Sequence, residues 1–257
     1  MEKLPHKSFS FIKSKVKTYP DGSKKITVFK EPLVIVYGTE NAGASSNDLN
    51  LDLDKFSEDY LNELERIKMK RIREVKNKIK DYILSNEFTH FWNITQDEKV
   101  VGDRLDDEIA LKNLKRFLQT TRERAKLKGI TFGYVFVPER HKNGALHFHG
   151  FTFGYPYEFV DSGHTWKGKP VYNCKQWKKG FTNVTEIQDK IKASNYITKY
   201  LTKEMLSQDL GKGKKKYWCS KGLKLPEIEY LENNVCEGMK ADWTSPDGNI
   251  MIYNIKN

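Results

Sequence analysis

Two short stretches of this chain carry residue types whose spacing could do chemistry. In ALHFHGFTF, residues 145–153, His147 and His149 stand two apart. On a β-strand alternate side chains share a face, so both imidazoles project together with Phe151 and Phe153. Leu146, Phe148 and Gly150 then face the other side, where a helix could cover them. Two neutral imidazoles on one rigid strand can bind a divalent ion. In YITKYLTK, residues 196–203, the pattern Tyr-x-x-Lys occurs twice. On a helix, residues three and four apart share a face, so Tyr196, Lys199, Tyr200 and Lys203 form one ridge with the phenols about 5.4 Å apart in rise. A phenol with a pKa near ~10 is a poor nucleophile at neutral pH. A lysine one turn on can lower that pKa or stabilise charge building on an attacked phosphate. Each stretch also has a plain structural reading: polar residues stacked in a strand, and an amphipathic helix with half-buried tyrosines and snorkelling lysines.

The elements around these stretches must hold them in place. Residues 131–139 and 146–153 read as a hairpin, with Lys142-Asn143-Gly144 as a three-residue loop and Gly144 in the left-handed position. If Asn143 centres the turn, Glu139 falls directly opposite His147 on the same face, a natural oxygen ligand. Two histidines and one carboxylate leave coordination positions open, which suits one hard divalent ion, Mg²⁺ or Mn²⁺. His141, nearer the turn, is expected in solvent. Residues 88–95, aromatic and β-branched, read as a buried strand. Residues 106–128 read as a helix opened by Asp106 and Asp107 and ended by Gly129, with Ile109, Leu111, Leu114, Phe117 and Leu118 as its buried stripe. Residues 181–187 make a further strand, 191–205 the tyrosine helix, with Ile197 and Leu201 able to anchor it to a sheet, and 217–220 a short strand.

Towards the N-terminus, residues 7–38 read as short strands flanking Pro20-Asp21-Gly22-Ser23, and 38–54, small and acidic, as a linker or loop. Residues 55–84 read as a helix with an apolar stripe from Tyr60 to Ile83 and a basic face that includes Lys68, Lys70, Arg71 and Arg73. Residues 155–180, with Tyr157, Trp166 and Trp177 among glycines and lysines, read as a long insertion. The order of elements argues for an α+β fold, a central antiparallel sheet of about five strands carrying the histidine hairpin and flanked by helices. The expected organisation is an N-terminal hairpin segment and linker over 1–54, a main domain over 55–226, and a C-terminal extension over 227–257.

The 257 residues carry a net charge of +11, an excess that suits an anionic partner, nucleic acid ahead of membrane, or simply a soluble protein. Cys174, Cys219 and Cys236 lie far apart without a CxxC, which excludes a disulfide framework or zinc knuckle and fits a reducing compartment. GKGKKK at 211–216 lacks the GxxxxGK[ST] spacing of a nucleotide-binding loop. No stretch approaches the ~20 apolar residues of a membrane span, and MEKLPHKSFS has no apolar core of a signal peptide. A cytoplasmic protein without a membrane partner is expected. A metal site and a tyrosine nucleophile in a basic chain together imply cleavage and rejoining of DNA strands. The basic helix face, the run ending in Lys214, Lys215 and Lys216, and Tyr157, Trp166 and Trp177 as stacking surfaces are the candidate DNA contacts.

These motifs occur in an order that resembles the HUH (His–hydrophobe–His) endonucleases, in particular the two-tyrosine rolling-circle replication initiators of small single-stranded DNA phages and plasmids. FWNIT at 91–95 stands where the family's first strand motif lies, although Asn93 and Gln96 make it more polar than usual. HFH at 147–149 matches the metal motif, with Glu139 upstream as the acidic ligand. YITKYLTK matches the tyrosine motif, and YWCSKGLKLP at 217–226 is similar to the segment that follows it in phage-type members. The resemblance spans residues 60–226. It implies a nick at a single-stranded DNA origin by tyrosine attack, a 5′-phosphotyrosine, a 3′-OH that primes a DNA polymerase, and ligation without ATP. With no helicase motif in the chain, unwinding would fall to a host helicase, in the host cytoplasm if the replicon is viral. Readings kept beside it are an HUH transposase or relaxase, a non-catalytic origin-binding protein, and a zinc hydrolase.

Overall fold

Alternating apolar residues and short turns build two antiparallel sheets, seen in a computed structural model that describes residues 8–37, 58–200 and 216–257. In chain order the elements are β1 (Ser8–Thr18), β2 (Lys24–Tyr37), α1 (Glu58–Ser85), β3 (His90–Gln96), α2 (Glu98–Val101), α3 (Asp107–Leu127), β4 (Gly133–Arg140), β5 (Leu146–Phe153), β6 (Phe159–Trp166), β7 (Lys169–Cys174), β8 (Gly180–Glu186), α4 (Lys190–Ile197), β9 (Trp218–Cys219), β10 (Glu227–Leu231), β11 (Trp243–Thr244) and β12 (Ile250–Ile255). The chain divides into a unit of Leu61–Lys224 and a unit of Met1–Tyr60 with Leu225–Asn257. The fold is α+β, with central antiparallel sheet and flanking helices.

The larger unit holds a seven-stranded sheet in the order β6-β7-β8-β3-β5-β4-β9. Even-numbered residues of its central strands (Trp92, Ile94, Phe136, Leu146, Phe148, Val184) form one core with Leu111, Leu114, Phe117 and Leu118 of α3. Odd-numbered residues (Val135, Val137, Phe151) face the other way and pack with Ile79 and Ile83 of α1 and Ile197 of α4. Each such fully buried side chain contributes about 1.5–3 kcal/mol. The Asp106 carboxylate caps α3 by accepting from the backbone N–H groups of Glu108 and Ile109. Gly150 permits the close packing on that side, because a Cβ there would lie 2.2 Å from the Phe136 ring.

The β4–β5 hairpin closes as the loop sequence requires. His141 N–H donates to Ala145 O and Gly144 N–H to His141 O, and Gly144 takes a φ of 90°. Glu139 is therefore directly opposite His147. Arg140 fixes this end of the hairpin, donating to Gly144 O and forming a 2.6 Å ion pair with Asp107 in the first turn of α3.

Two expectations are corrected. Residues 155–180, expected as a long insertion without strands, contain β6 and β7, which extend the sheet beyond five strands. Their two-residue loop has Lys167 at φ 51° and Gly168 at φ 76°, the doubly positive turn that matches strand twist. Polar, largely exposed strand residues hide this hairpin from an apolar pattern. The apolar stripe of α1 is also shorter than expected. Ile72, Ile79 and Ile83 are buried, whereas Ile67 is 37% exposed, so the packed portion is the C-terminal part.

The smaller unit is a five-stranded sheet in the order β10-β1-β2-β12-β11, with Val16, Ile26, Val28, Cys236 and Tyr253 at its core. Segments that look separate in sequence, before residue 54 and after 227, thus share one sheet. Residues 38–54, expected as a linker, lie outside the described residues. No disulfide joins the three cysteines. Among the described residues, no helix is long and apolar enough to cross a membrane.

Candidate active site

The face of the larger sheet opposite α3 is a lattice of aligned rows. Glu139 pairs with His147. In the next row Val137 pairs with His149, His149 with Asn93, and Asn93 with Asn183. In the third, Val135, Phe151, Phe91 and Thr185 are aligned in the same way. The sequence reading placed the two histidines and Glu139 on one face, and the structure brings them together there.

Their hydrogen bonds differ. His149 is buried, and its Nε2 lies 2.6 Å from Glu139 Oε2. A carboxylate only accepts, so Nε2 carries the proton. Nδ1 of the same ring is buried without a hydrogen-bond partner. His147 Nδ1 is 3.2 Å from the Thr95 hydroxyl, which orients the ring and leaves Nε2 as its second donor atom. Burial and then the neighbouring His141 and His149 hold His147 below the usual histidine pKa, which favours the neutral, ligating form. His141, expected in solvent, is exposed, yet its ring stacks on His147 at 4.7 Å between centroids. Two imidazoles and a carboxylate on one face are a donor set that fits one divalent ion. As placed, with Glu139 held on His149, no three His, Cys, Asp or Glu side chains among the described residues surround a common point.

Helix α4 lays the tyrosines over this face. Asp189 caps it, accepting from Lys192 N–H at 2.9 Å, and fully buried Ile197 anchors it against Val135, Val137 and Phe151. The described helix ends at Ile197, short of the expected 205. Beyond it, Lys199 N–H donates to Tyr196 O and Tyr200 N–H to Ile197 O, the tighter i→i+3 pattern. Tyr200 stacks face to face on His149, with centroids 3.7 Å apart and planes 7° apart. Tyr196 stands edge-on to Tyr200 at 5.3 Å and to Phe91 at 5.5 Å. Lys199 Nζ lies 5.8 Å from the Tyr196 ring centre. Burial, then a hydrogen bond with Tyr196 and the nearby Glu139 carboxylate, raise Tyr200 above the ordinary tyrosine pKa. Lys203, expected to lower it, lies outside the described residues, as do Leu201, Lys214 and Lys215.

Beside the tyrosines a cleft of ≈ 290 Å³ opens between β3, β8, the β6–β7 hairpin and α4, lined in part by Phe91, Asn93, Trp166 and Tyr196. Trp166, expected to meet DNA, is 46% exposed here. Trp177 is not available for stacking: it is 4% exposed, sits in the α3 core, and donates its indole N–H to Thr95 O. Tyr157 is buried in the same core. Both rings pack against Phe117 of α3, at 5.8 Å for Tyr157 and 5.4 Å for Trp177 between centroids. Lys68, Lys70, Arg71 and Arg73 are exposed on α1, and Lys216 is half-buried. Sequence reasoning missed Thr95, which orients His147, and Asn93 and Asn183 in the His149 row. The available signal was the spacing of Asn93 and Thr95, polar groups two residues apart on the face that Phe91 shares.

Residues 89–205, which contain the histidine hairpin, Glu139 and both tyrosines, match a family described as replication-associated protein. No curated protein and no solved structure matches the chain.

Proposed function

Taking the similarity of residues 89–205 to replication-associated proteins as the premise, we propose that this protein is a replication-initiator endonuclease of the two-tyrosine HUH type. It nicks single-stranded DNA at an origin and later rejoins strands. The observation that carries the proposal is the stacking of Tyr200 on His149, with Tyr196 adjacent, in the row beside the one that pairs Glu139 with His147, and with Glu139 hydrogen-bonded to that same His149. A nucleophile pair and a metal-type donor set thus meet on one face of one sheet.

The phenolic oxygen of Tyr196 or Tyr200, having lost its proton, attacks the phosphorus. The P–O3′ bond breaks, the 3′ oxygen takes up a proton and leaves as a 3′-OH, and the 5′ phosphate remains on the tyrosine. Rejoining runs the same exchange in reverse: a 3′-OH attacks the phosphotyrosine and the phenol leaves. The covalent link conserves the bond energy, so no nucleotide cofactor is needed. His147, His149 and Glu139 would hold one Mg²⁺ or Mn²⁺, which when bound polarises the scissile phosphate as a Lewis acid. Glu139 orients His149 and Thr95 orients His147, and Lys199 brings positive charge to Tyr196. Tyr196 lines the open cleft whereas Tyr200 is covered by its stack, which favours Tyr196 for the first attack. The exposed cations of α1 give the electrostatic grip. The 3′-OH would be extended by a DNA polymerase, with a host helicase unwinding the template.

The test uses single-stranded DNA from the encoding replicon with Mn²⁺ or Mg²⁺, an EDTA control, and a denaturing gel. A metal-dependent covalent adduct is expected for the wild type and is expected to be lost in the Tyr196→Phe/Tyr200→Phe double variant. Binding without any adduct in any metal would overturn the enzymatic reading in favour of a non-catalytic origin-binding protein.

A further inference from the structure

The cleft beside Tyr196 has a chemistry of its own. Its walls include the aromatic rings of Phe91, Trp166 and Tyr196 and the polar side chains of Asn93, Asn183 and Thr185. Among the described residues no lysine or arginine lines it, and His164 is the one lining side chain that can carry a positive charge. Asn93 Oδ1 is buried there with no hydrogen-bond partner, although buried acceptors in folded proteins are almost always satisfied. The Trp166 and Tyr196 rings are 6.0 Å apart and inclined at 53°, flanking the opening without stacking on each other. Lys167 Nζ, 4.6 Å from the Trp166 ring centre, is outside the lining.

We infer that this cleft takes up a single unstacked nucleobase of single-stranded DNA beside the reacting phosphate, and that Asn93 reads its edge. The inference rests on the nickase reading for the identity of the polymer. The fit itself comes from the cleft. A volume of ≈ 290 Å³ accepts a purine ring system. Aromatic walls suit the flat faces of a base. A side-chain amide offers an acceptor and a donor side by side, the pattern that pairs with a base edge. Asn93 Oδ1 is itself closed to solvent, so a turn of the Asn93 amide into the cleft brings it to a ring or exocyclic N–H of the base, which supplies the missing donor. Asn183, directly across the ladder from Asn93, is exposed and stands within reach of the same ligand. Because, among the described residues, His164 is the one lining group that can carry a positive charge and no lysine or arginine joins it, a base carried on a strand suits the cleft better than a free nucleotide.

The experiment selects binders from a randomised single-stranded DNA library with the full chain in EDTA, which prevents cleavage. Wild type, Asn93→Ala, Asn93→Asp and Trp166→Ala are compared, each checked for a cooperative melt. The wild type is expected to enrich a motif in which one position discriminates between bases by about 10-fold or more. In Asn93→Ala that position alone becomes degenerate, and in the nearly isosteric Asn93→Asp its preferred base changes. An abasic site placed there costs the wild type about 10-fold in affinity and costs Asn93→Ala nothing further. Free deoxynucleoside monophosphates at the same concentration do not compete; competition would replace the strand with a nucleotide ligand and overturn the inference. Identical motifs from wild type and both Asn93 variants would also overturn it. Failure of the nickase reading looks different: base selection at the cleft persists while no covalent adduct forms with metal present.

Discussion

Removing the Glu139 carboxylate tests the centre of the site in two independent ways. The His149 side chain is 5% exposed and that of Glu139 32%, and Glu139 is the acceptor for the Nε2 proton. Because Nδ1 already lacks a partner, Glu139→Ala leaves both ring nitrogens unmatched. A stranded buried donor costs about 1–3 kcal/mol, and the partial exposure of Glu139 admits water, placing the cost at about 1–2 kcal/mol. For a domain of this size that lowers Tm by about 2–8 °C. Glu139→Gln keeps a carbonyl oxygen for His149 and is expected to lose about 1 °C or less. The two variants therefore separate in EDTA by differential scanning fluorimetry, yet both lack the negative charge needed for a metal ligand. In the adduct assay both are expected to lose activity on the order of 100-fold. Equal melting losses for Ala and Gln would refute the hydrogen-bond account. Adduct formation by Glu139→Gln at the wild-type rate would refute the carboxylate as a ligand.

Trp177→Ala should destabilise the protein by about 3–5 kcal/mol in urea unfolding, while exposed Trp166→Ala should cost about 0.5 kcal/mol or less; equal costs would contradict the placement of the two rings. Replacing Lys68, Lys70, Arg71 and Arg73 with serine should flatten the slope of log affinity against log salt for single-stranded DNA by about 0.7 per lost phosphate contact. An unchanged slope would remove the α1 face from the DNA path. His90 and His147 both have pKa values lowered chiefly by burial from the ordinary 6.5. Between those lowered values and 6.5 the unfolded chain binds more protons, so stability should be full above about pH 6.5 and fall as pH drops through that window. Melting in EDTA from pH 8 to 5 checks this, and a flat profile would refute it.

What the sequence revealed depended on how local its determinants were. The register that sets Glu139 opposite His147 was legible because a three-residue loop with Gly144 fixes it within eight residues of either partner. The buried stripe of α3 was legible from its periodicity. The β6–β7 hairpin was missed because its exposed strands carry no apolar alternation, and its turn is Lys167-Gly168 rather than the more recognisable Asn-Gly. The ridge of Tyr196 and Tyr200 was expected on a continuous helix. The described helix ends at Ile197, and the i→i+3 bonds that carry Lys199 and Tyr200 are not encoded in the tyrosine–lysine spacing. The role of Asn93 was invisible for a similar reason: an unmatched amide oxygen is a property of the assembled row. The pairing of β1 with β10 and of β2 with β12 is less local still.

That last pairing sets an order of assembly. The Ser14 hydroxyl donates to the carbonyl of Asn233, 219 residues away, and β2 finds one of its two neighbours only in β12. A ribosome delivers the chain from its N-terminus, so β1 and β2 emerge first and wait as an isolated hairpin, marginal in water. The span that carries the histidines and tyrosines has its strand partners within itself and can close while the chain is still being made. The five-stranded sheet forms only when β12 arrives. Its completion is thus a built-in record that translation has passed the entire histidine and tyrosine span, and a ribosome that stalls before β12 leaves that span folded and the five-stranded sheet unfinished.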